Sequence, residues 1–183
     1  MEKKRLYIDM DGTLAEFRQV DTLEKLYEPG YFFNLKPQMN VVLAVKEIIR
    51  KEPDIEVFIM SSVLSDSKYA LEEKNKWIDF YLPEIDQAHR IFPPCGEDKK
   101  NYIPEEKGHN FLLDDYTKNL TLWEPPYVGI KLLNNINNRH GTWKGEKVSY
   151  DMHPPLLAEQ LVQIINTDQR KKDLFLNQPG RSR

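Results

Sequence analysis

Short apolar runs alternate with amphipathic stretches along this chain, and the alternation limits the fold to a small set. Apolar runs separated by helical patterns are typical of a parallel sheet that is covered by helices on both faces. The runs predicted to be strands are 6–8, 55–60, 90–92, 111–113 and 128–133. The sequence therefore predicts an α/β fold built on a parallel sheet.

Between and after these runs, apolar residues recur at helical spacing. The predicted helices are 41–49, 67–81 and 156–167. In the second helix, Leu71, Trp77, Ile78 and Tyr81 are predicted to line one face. The third follows two prolines, Pro154 and Pro155, which suit the first turn of a helix.

Two regions show neither the helical spacing nor the apolar runs of strands. Residues 93–109 are rich in proline, glycine and charge, and residues 14–37 separate the first strand from the first helix. We expect the segment 14–37 to be a small cap or lid inserted into a single domain that covers residues 1–176. Residues 177–183 are predicted to be a flexible tail.

The composition excludes several classes of protein. The 183 residues carry a formal net charge of −3, whereas a protein that binds nucleic acid polymers usually has a basic face. The single cysteine, Cys95, excludes an intramolecular disulfide and a multi-cysteine zinc site. No apolar run is long enough to span a membrane, and no secretory apolar segment follows the start. We expect a cytoplasmic protein without a membrane or nucleic acid partner.

Acidic residues follow two of the predicted strands directly. Asp9 and Asp11 come after the run 6–8, and Asp114 and Asp115 come after the run 111–113. Ligands of open parallel sheets bind outside the carboxyl ends of the strands, so the two pairs meet if their strands are neighbours. Converging carboxylates repel one another unless a cation joins them. A hard divalent cation, Mg²⁺, is therefore the expected cofactor.

The spacing of the first pair indicates a catalytic role. Residues i and i+2 of an extended chain point the same way, so Asp9 and Asp11 can face one substrate. One carboxylate can attack phosphorus while the other protonates the leaving oxygen and then activates water. Gly12 allows the sharp turn that follows. The alternative interpretation is that each acidic pair only caps a turn or a helix.

Hydroxyl and ammonium groups occur where phosphate transfer would use them. Ser61 and Ser62 follow the second predicted strand, and Lys74 or Lys76 on the next helix can reach the same phosphate oxygens. A serine pair at a strand end is also common as a helix cap, and a helix lysine is usually solvated. The order of these residues between the two acidic pairs favours phosphate binding.

A set of ordered residues resembles the four motifs of haloacid dehalogenase-like (HAD) phosphatases. The set is Asp9-Met-Asp11-Gly12-Thr13, Ser61, a lysine on the next helix and Asp114-Asp115. The resemblance implies a Rossmann-like three-layer sandwich with a central parallel sheet and a small helical cap after the first strand. It implies that Asp9 is the nucleophile and a metal ligand, and that Asp11 is the acid/base, its main-chain carbonyl also touching the metal. Asp114 and Asp115 would complete the Mg²⁺ site.

Within that superfamily the sequence is similar to the 5′(3′)-deoxyribonucleotidases of the cytosolic type C group and their bacterial and phage relatives. The similar stretches are 9–17, 30–37, 74–77 and 112–119. The likeness favours Lys74 as the phosphate-binding lysine, and it implies dephosphorylation of nucleoside or deoxynucleoside 5′-monophosphates. Because the cap is shorter than in the animal enzymes, Phe17, Phe32 and Phe33 are either contacts to the base or residues packed onto the core.

Other functions remain compatible with the sequence. They are a phosphatase of another small phosphomonoester, a non-catalytic relative that binds a phosphorylated ligand, and a receiver-like signalling domain. The last is disfavoured because a receiver carries adjacent acids after its first strand. Residues 129–145 are interpreted as structural, although Arg139 or His140 could reach a phosphate. The sequence leaves the oligomeric state open, a homodimer included.

Overall fold

A single sheet organises the protein. The structure is a computed structural model that describes residues 3–104, 108–137 and 142–176, with the side chains of the last helix described to Thr167. Within these residues, six strands are arranged in the order β3-β2-β1-β4-β5-β6, and every neighbouring pair is parallel. The strands are β1 Lys4–Ile8, β2 Ile55–Met60, β3 Arg90–Ile91, β4 His109–Asp114, β5 Val128–Leu133 and β6 Glu146–Ser149. The α-helices are α1 Met39–Lys51, α2 Ala70–Tyr81, α3 Thr117–Thr121 and α4 Pro154–Leu176.

Both faces of the sheet are buried. Leu6 and Ile8 of β1 belong to the larger core, together with side chains of α1, α2 and α4. Tyr7 points to the other face, where a smaller core contains Leu120 of α3 and Trp123. Successive side chains of a strand alternate between the two faces, so this central strand is covered on both. The predicted α/β class with a parallel sheet is confirmed.

The five predicted strands are present, and the elements that the sequence did not reveal are short. β6 has the sequence Glu-Lys-Val-Ser with only Val148 buried, so it contains no apolar run. α3 has five residues, too few for a helical period. The last helix starts at Pro154, as its prolines indicated, but it continues to Leu176 rather than ending near Thr167.

The prediction for α2 was wrong in part. The helix begins at Ala70 rather than at Ser67, because the Ser67 hydroxyl accepts the Ala70 N–H at 3.2 Å and lies before the first turn. Trp77 and Ile78 are fully buried, whereas Leu71 is 49% exposed and does not face the core. Among the described residues, no helix is both long enough and apolar enough to cross a membrane.

The two ends of the insertion after β1, residues 14–37, are hydrogen-bonded to each other. The N–H of Glu16 donates to the carbonyl of Lys36 at 2.7 Å, and Ala15 forms a β-bridge with Pro37. Between these ends the segment contains a short 3₁₀-helix, Leu23–Tyr27, with no buried residue. The insertion is therefore closed at its base.

Glu73 of α2 holds the second half of the insertion. Its side chain is buried, with one carboxylate oxygen 2.5 Å from the N–H of Gly30 and the other 3.0 Å from the N–H of Phe32. The next N–H, from Phe33, lies at 3.4 Å from the same oxygen. One turn along the helix, the indole N–H of Trp77 donates to the carbonyl of Leu35 at 2.9 Å. The insertion is thus tied to the helix that also carries Lys74.

We predict that Glu73→Ala lowers the free energy of unfolding by about 2–3 kcal/mol, because several backbone N–H groups lose a charged acceptor. Urea denaturation of the purified protein measures this. Glu72→Ala is the matched control, since Glu72 is exposed and its ion pair among the described residues is with Lys76 on the same surface. Equal stability of the two variants would contradict the assigned role of Glu73.

Candidate active site

The two acidic pairs meet at the carboxyl edge of the sheet. β1 and β4 are neighbours in register, with Ile8 opposite Leu113, and the Asp9 N–H donates to the carbonyl of Leu113 at 2.9 Å. Asp9, Asp114 and Asp115 each place a carboxylate oxygen within 4.8 Å of the others. Asp9 and Asp114 are buried, so the charged groups are largely removed from water.

A tight turn after β1 brings Asp11 to the same place. The N–H groups of Thr13, Leu14 and Ala15 all lie within hydrogen-bond distance of the Met10 carbonyl. Gly12 has a φ of +85°, and a Cβ at this position would lie 2.6 Å from Cγ of Asp115. Only glycine therefore suits this turn.

Lys74 connects the phosphate-binding candidates with Asp11. Its Nζ donates to Oδ2 of Asp11 at 2.5 Å, to Oγ of Ser61 at 2.9 Å and to the carbonyl of Ser62 at 2.6 Å. Lys74 is fully buried. Lys76, the alternative from the sequence, is exposed and pairs with Glu72. Of the two lysines, Lys74 is the one that the structure places among the catalytic candidates.

Lys99 lies at the centre of the site, although the sequence did not predict it there. Its Nζ donates to Oδ1 of Asp9 at 2.6 Å and to Oδ2 of Asp114 at 2.7 Å, and its side chain is buried. A short 3₁₀-helix, Lys99–Tyr102, carries it, with the Asp98 carboxylate accepting the Lys100 N–H at its start. The sequence offered one indication of a further cation: four acidic candidates but a single lysine were predicted to meet at the site.

The pKa values reflect this crowding. Burial raises the pKa of Asp9 to about 8; Lys99 opposes the rise, and the charges of Asp114 and Asp11 add to it. Burial also raises the pKa of Asp115 to about 6, with a further contribution from Asp114. Burial alone would lower the pKa of Lys99, but the charges of Asp114 and Asp9 outweigh it and raise that pKa. The ammonium groups present do not fully compensate the carboxylates.

The donor set fits a hard divalent cation. Four carboxylates face the cluster, from Asp9, Asp11, Asp114 and Asp115, and two ammonium groups bond to them directly, those of Lys74 and Lys99. Lys99 pairs with both Asp9 and Asp114 and Lys74 pairs with Asp11, so among the described residues Asp115 is the carboxylate of this set without a direct ion pair. Carboxylate oxygens are the ligands that Mg²⁺ prefers in proteins. In addition, Oδ1 of Asp11 is buried without a hydrogen-bond partner among the described residues.

A cavity of about 580 Å³ opens from the catalytic carboxylates. Asp9, Asp11, Ser62, Lys99 and Asp115 form its polar end. Aromatic and apolar side chains on its remaining walls are those of Phe17, Tyr116, Leu122 and Ile136. Cys95 and the charged side chains of Glu97, Asp98 and Lys118 also line these walls. The volume is in the range of pockets for small molecules.

The three phenylalanines proposed for the cap have different surroundings. Phe17 lines the cavity. Phe32 is buried, with its ring centroid 4.8 Å from Nζ of Lys74. Phe33 is 43% exposed and lies outside the residues that line the cavity. Phe17 is therefore the aromatic residue of this set that a substrate can contact directly, whereas Phe32 packs beneath the site.

The segment after β5 also contributes. Asn134 donates to Oδ2 of Asp115 at 2.9 Å, and Asn137 donates to the carbonyl of the same aspartate at 3.2 Å. Before the strand, Asn119 of α3 donates to Oδ2 of Asp114 at 2.9 Å. Arg139 and His140, which the sequence suggested as phosphate contacts, lie outside the described residues.

Comparison with known proteins agrees on the fold. No protein-family model matches the sequence, and no curated protein does. Among solved structures, the protein is similar to the HAD domain of the effector protein Lem4 from Legionella pneumophila, solved as an inactive mutant. The TM-score is 0.50 at 14% identity, with 97% of this chain and 100% of that chain covered. The chain thus has a HAD-like α/β fold, as its motifs indicated.

We predict that Lys99→Met lowers the free energy of unfolding by about 3 kcal/mol at neutral pH without divalent metal, because it leaves two buried carboxylates unpaired. Denaturation in the presence of a chelator measures the loss. Lys100→Met is the control, since the Lys100 ammonium lies 5.6 Å from the ring centroid of Tyr127 and not among the carboxylates. If Lys99→Met is as stable as this control, the assigned ion pairs do not stabilise the site.

Proposed function

We propose that the protein is a Mg²⁺-dependent phosphomonoester hydrolase that forms an aspartyl-phosphate on Asp9 and acts on nucleoside or deoxynucleoside 5′-monophosphates. The observation that carries the proposal is the arrangement of Asp9 and Asp11 beside two buried ammonium groups at the end of the cavity. The HAD-like fold supports the same class of chemistry.

The two catalytic carboxylates have separate hydrogen-bond partners. Lys99 engages Oδ1 of Asp9, which leaves the second oxygen of that carboxylate to attack phosphorus. Lys74 engages Oδ2 of Asp11, and Asp11 lines the cavity next to the place that the leaving oxygen would occupy. Lys74 therefore orients Asp11, whereas Lys99 orients both Asp9 and Asp114, and the two ammonium groups lie beside the carboxylates that would meet the phosphoryl group.

In the first step, the Asp9 oxygen bonds to phosphorus as the bond between phosphorus and the ester oxygen breaks, and Asp11, acting as the acid, transfers a proton to that ester oxygen, which leaves as the alcohol. In the second step, Asp11 takes a proton from water, the water oxygen bonds to phosphorus, and Asp9 is released with inorganic phosphate. Asp9, Asp114, Asp115 and the main-chain carbonyl of Asp11 would hold Mg²⁺. When bound, the ion neutralises charge on the transferring phosphoryl group.

The substrate class rests on the cavity walls. Phe17 and Tyr116 offer rings beside the catalytic end, and Leu122 and Ile136 add apolar surface. Base–aromatic stacking and apolar contact suit a flat nucleobase. Glu97, Asp98 and Lys118 lie on the same walls, and their net negative charge disfavours substrates with further phosphate groups. A monophosphate with one flat ring system therefore matches the cavity best.

We predict that Asp9→Asn lowers kcat on a deoxynucleoside 5′-monophosphate by at least about 10⁴-fold, because the amide removes the nucleophilic charge and keeps the size. Release of inorganic phosphate in Mg²⁺ measures the change. Asp21→Asn is the control, since Asp21 is exposed on the cap and pairs with Lys25.

The same assay tests the metal. The wild-type protein should lose turnover in excess EDTA and regain it with Mg²⁺, while Ca²⁺ should support it poorly because Ca²⁺ favours looser coordination. Full turnover in the chelator, or near-normal turnover of Asp9→Asn with an intact fold, would rule out the proposed mechanism.

We predict that Phe17→Ala lowers kcat/KM for a nucleoside monophosphate by about ten- to a hundredfold, the effect of losing one stacked base, which is worth about 1–3 kcal/mol. Hydrolysis of glycerol phosphate, which has no ring, should change only a few-fold. Phe33→Ala is the matched comparison and should affect both substrates little. Equal losses of Phe17→Ala on both substrates would favour another small phosphomonoester as substrate.

A further inference from the structure

The four residues after β5 form a turn that is held by two asparagines. Oδ1 of Asn134 accepts the N–H groups of Ile136 at 2.9 Å and of Asn137 at 3.0 Å. In return, Oδ1 of Asn137 accepts the N–H of Asn134 at 3.1 Å. The Nδ2 group of Asn137 donates to the Leu132 carbonyl at 2.5 Å, which joins the turn to the end of the strand. The reciprocal bonds give Asn134 a single orientation.

The other end of the Asn134 amide points to the catalytic loops. Its Nδ2 donates to the carbonyl of Gly12 at 2.6 Å and to Oδ2 of Asp115 at 2.9 Å. The side chain is buried, with 4% exposed, and its two donors and two acceptor sites are all used. A flipped amide would face its oxygen to two other oxygens, so the hydrogen-bond network fixes the assignment.

Asn134 therefore joins three loops that carry the site. Gly12 lies in the turn after β1, Asp115 lies after β4, and Asn134 itself follows β5. Asn137 adds a second bond to this arrangement, from Nδ2 to the Asp115 carbonyl. The amide holds the Asp115 carboxylate with a neutral donor, whereas Lys99 holds Asp9 and Asp114 with a charge.

Because the Asn134 amide is neutral, it holds the Asp115 carboxylate without adding positive charge to the cluster. The Asp114 carboxylate repels that of Asp115. The Lys131 ammonium attracts it but donates to the Asp115 main-chain carbonyl, so the Asn134 amide is the group that bonds to the carboxylate itself among the described residues. An ammonium group in that place would reduce the charge available to a cation, whereas an amide does not. Hydrogen bonds to a ligating carboxylate fix its orientation, and their loss typically weakens metal binding by about 10–100-fold.

We propose that Asn134 is a positioning residue that holds the Asp115 carboxylate, together with the Gly12 turn, in the orientation that binds the divalent cation. The proposal rests on the Mg²⁺ site of the proposed function. It assigns a role to the asparagine-rich segment 134–137 that follows the last central strand.

Asn134→Ser distinguishes the acceptor function of the Asn134 side chain from its donor function. A serine hydroxyl can still accept N–H groups of the following turn, but it is too short to replace the donor to Gly12 and Asp115. Titration with Mg²⁺ by calorimetry, without substrate, should show binding at least about tenfold weaker than in the wild type. Asn135→Ser is the matched control, because Asn135 is exposed, accepts from the Tyr150 hydroxyl and should bind Mg²⁺ normally.

A positioning role also predicts rescue by the metal. The Mg²⁺ concentration for half-maximal turnover should rise in Asn134→Ser, while kcat at saturating Mg²⁺ stays within a few-fold of the wild type. A variant damaged only in its fold would lose kcat at every Mg²⁺ concentration. If Asn134→Ser does not fold, Asn134→Thr provides a second hydroxyl, and failure of both would overturn the proposal by showing a role in folding alone.

The outcomes for the proposal and for the proposed function differ. Unchanged Mg²⁺ affinity in Asn134→Ser overturns the role of Asn134 and leaves a Mg²⁺-dependent phosphatase intact. Weaker Mg²⁺ binding in a protein that hydrolyses no phosphomonoester supports the role of Asn134 and overturns the function. A wild-type protein that does not bind Mg²⁺ overturns both.

Discussion

Charge compensation at the carboxyl edge of the sheet is the constraint on which the rest of the site depends. Parallel pairing of β1 with β4 forces Asp9 and Asp114 together in a buried position, and such a pair is unfavourable unless cations reach it. Lys99 supplies one charge to both. The charge that remains is what makes the cluster suitable for a divalent cation and a phosphoryl group.

The two ammonium groups that compensate the carboxylates come from different segments, Lys74 from α2 and Lys99 from the 3₁₀-helix before β4. Through α2, the site is also connected to the insertion 14–37. Lys74 reaches Asp11 from α2, and the neighbouring Glu73 fixes the cap on the same helix. Phe32 of the cap lies against the Lys74 ammonium. Folding of the insertion and placement of this catalytic candidate are thereby coupled through one helix, which explains why a segment with little regular structure is closely attached to the domain.

The sequence predicted the parts of the site that regular structure positions. Asp9 and Asp114 could be placed because an acidic residue at the end of an apolar run has one position in a parallel sheet. The helical pattern left Lys74 and Lys76 as alternatives, and the resemblance to HAD phosphatases favoured Lys74. Lys99 lies in an irregular stretch where no period shows which way a side chain points. Asn134 follows a predicted strand, but its partners are a backbone carbonyl and a carboxylate, which only the folded turn brings together.

The central claim is that Asp9 carries the phosphoryl group, and chemical trapping tests it most directly. An aspartyl-phosphate is an acyl phosphate, which borohydride reduces to the alcohol, so quenching steady-state turnover with borohydride converts the modified aspartate to homoserine. Peptide mass spectrometry then locates the change. If Asp9 is the nucleophile, homoserine is expected at position 9, and its formation should depend on substrate and Mg²⁺. Trapping at Asp11 or Asp115 instead, or no trapping during rapid turnover, would contradict it.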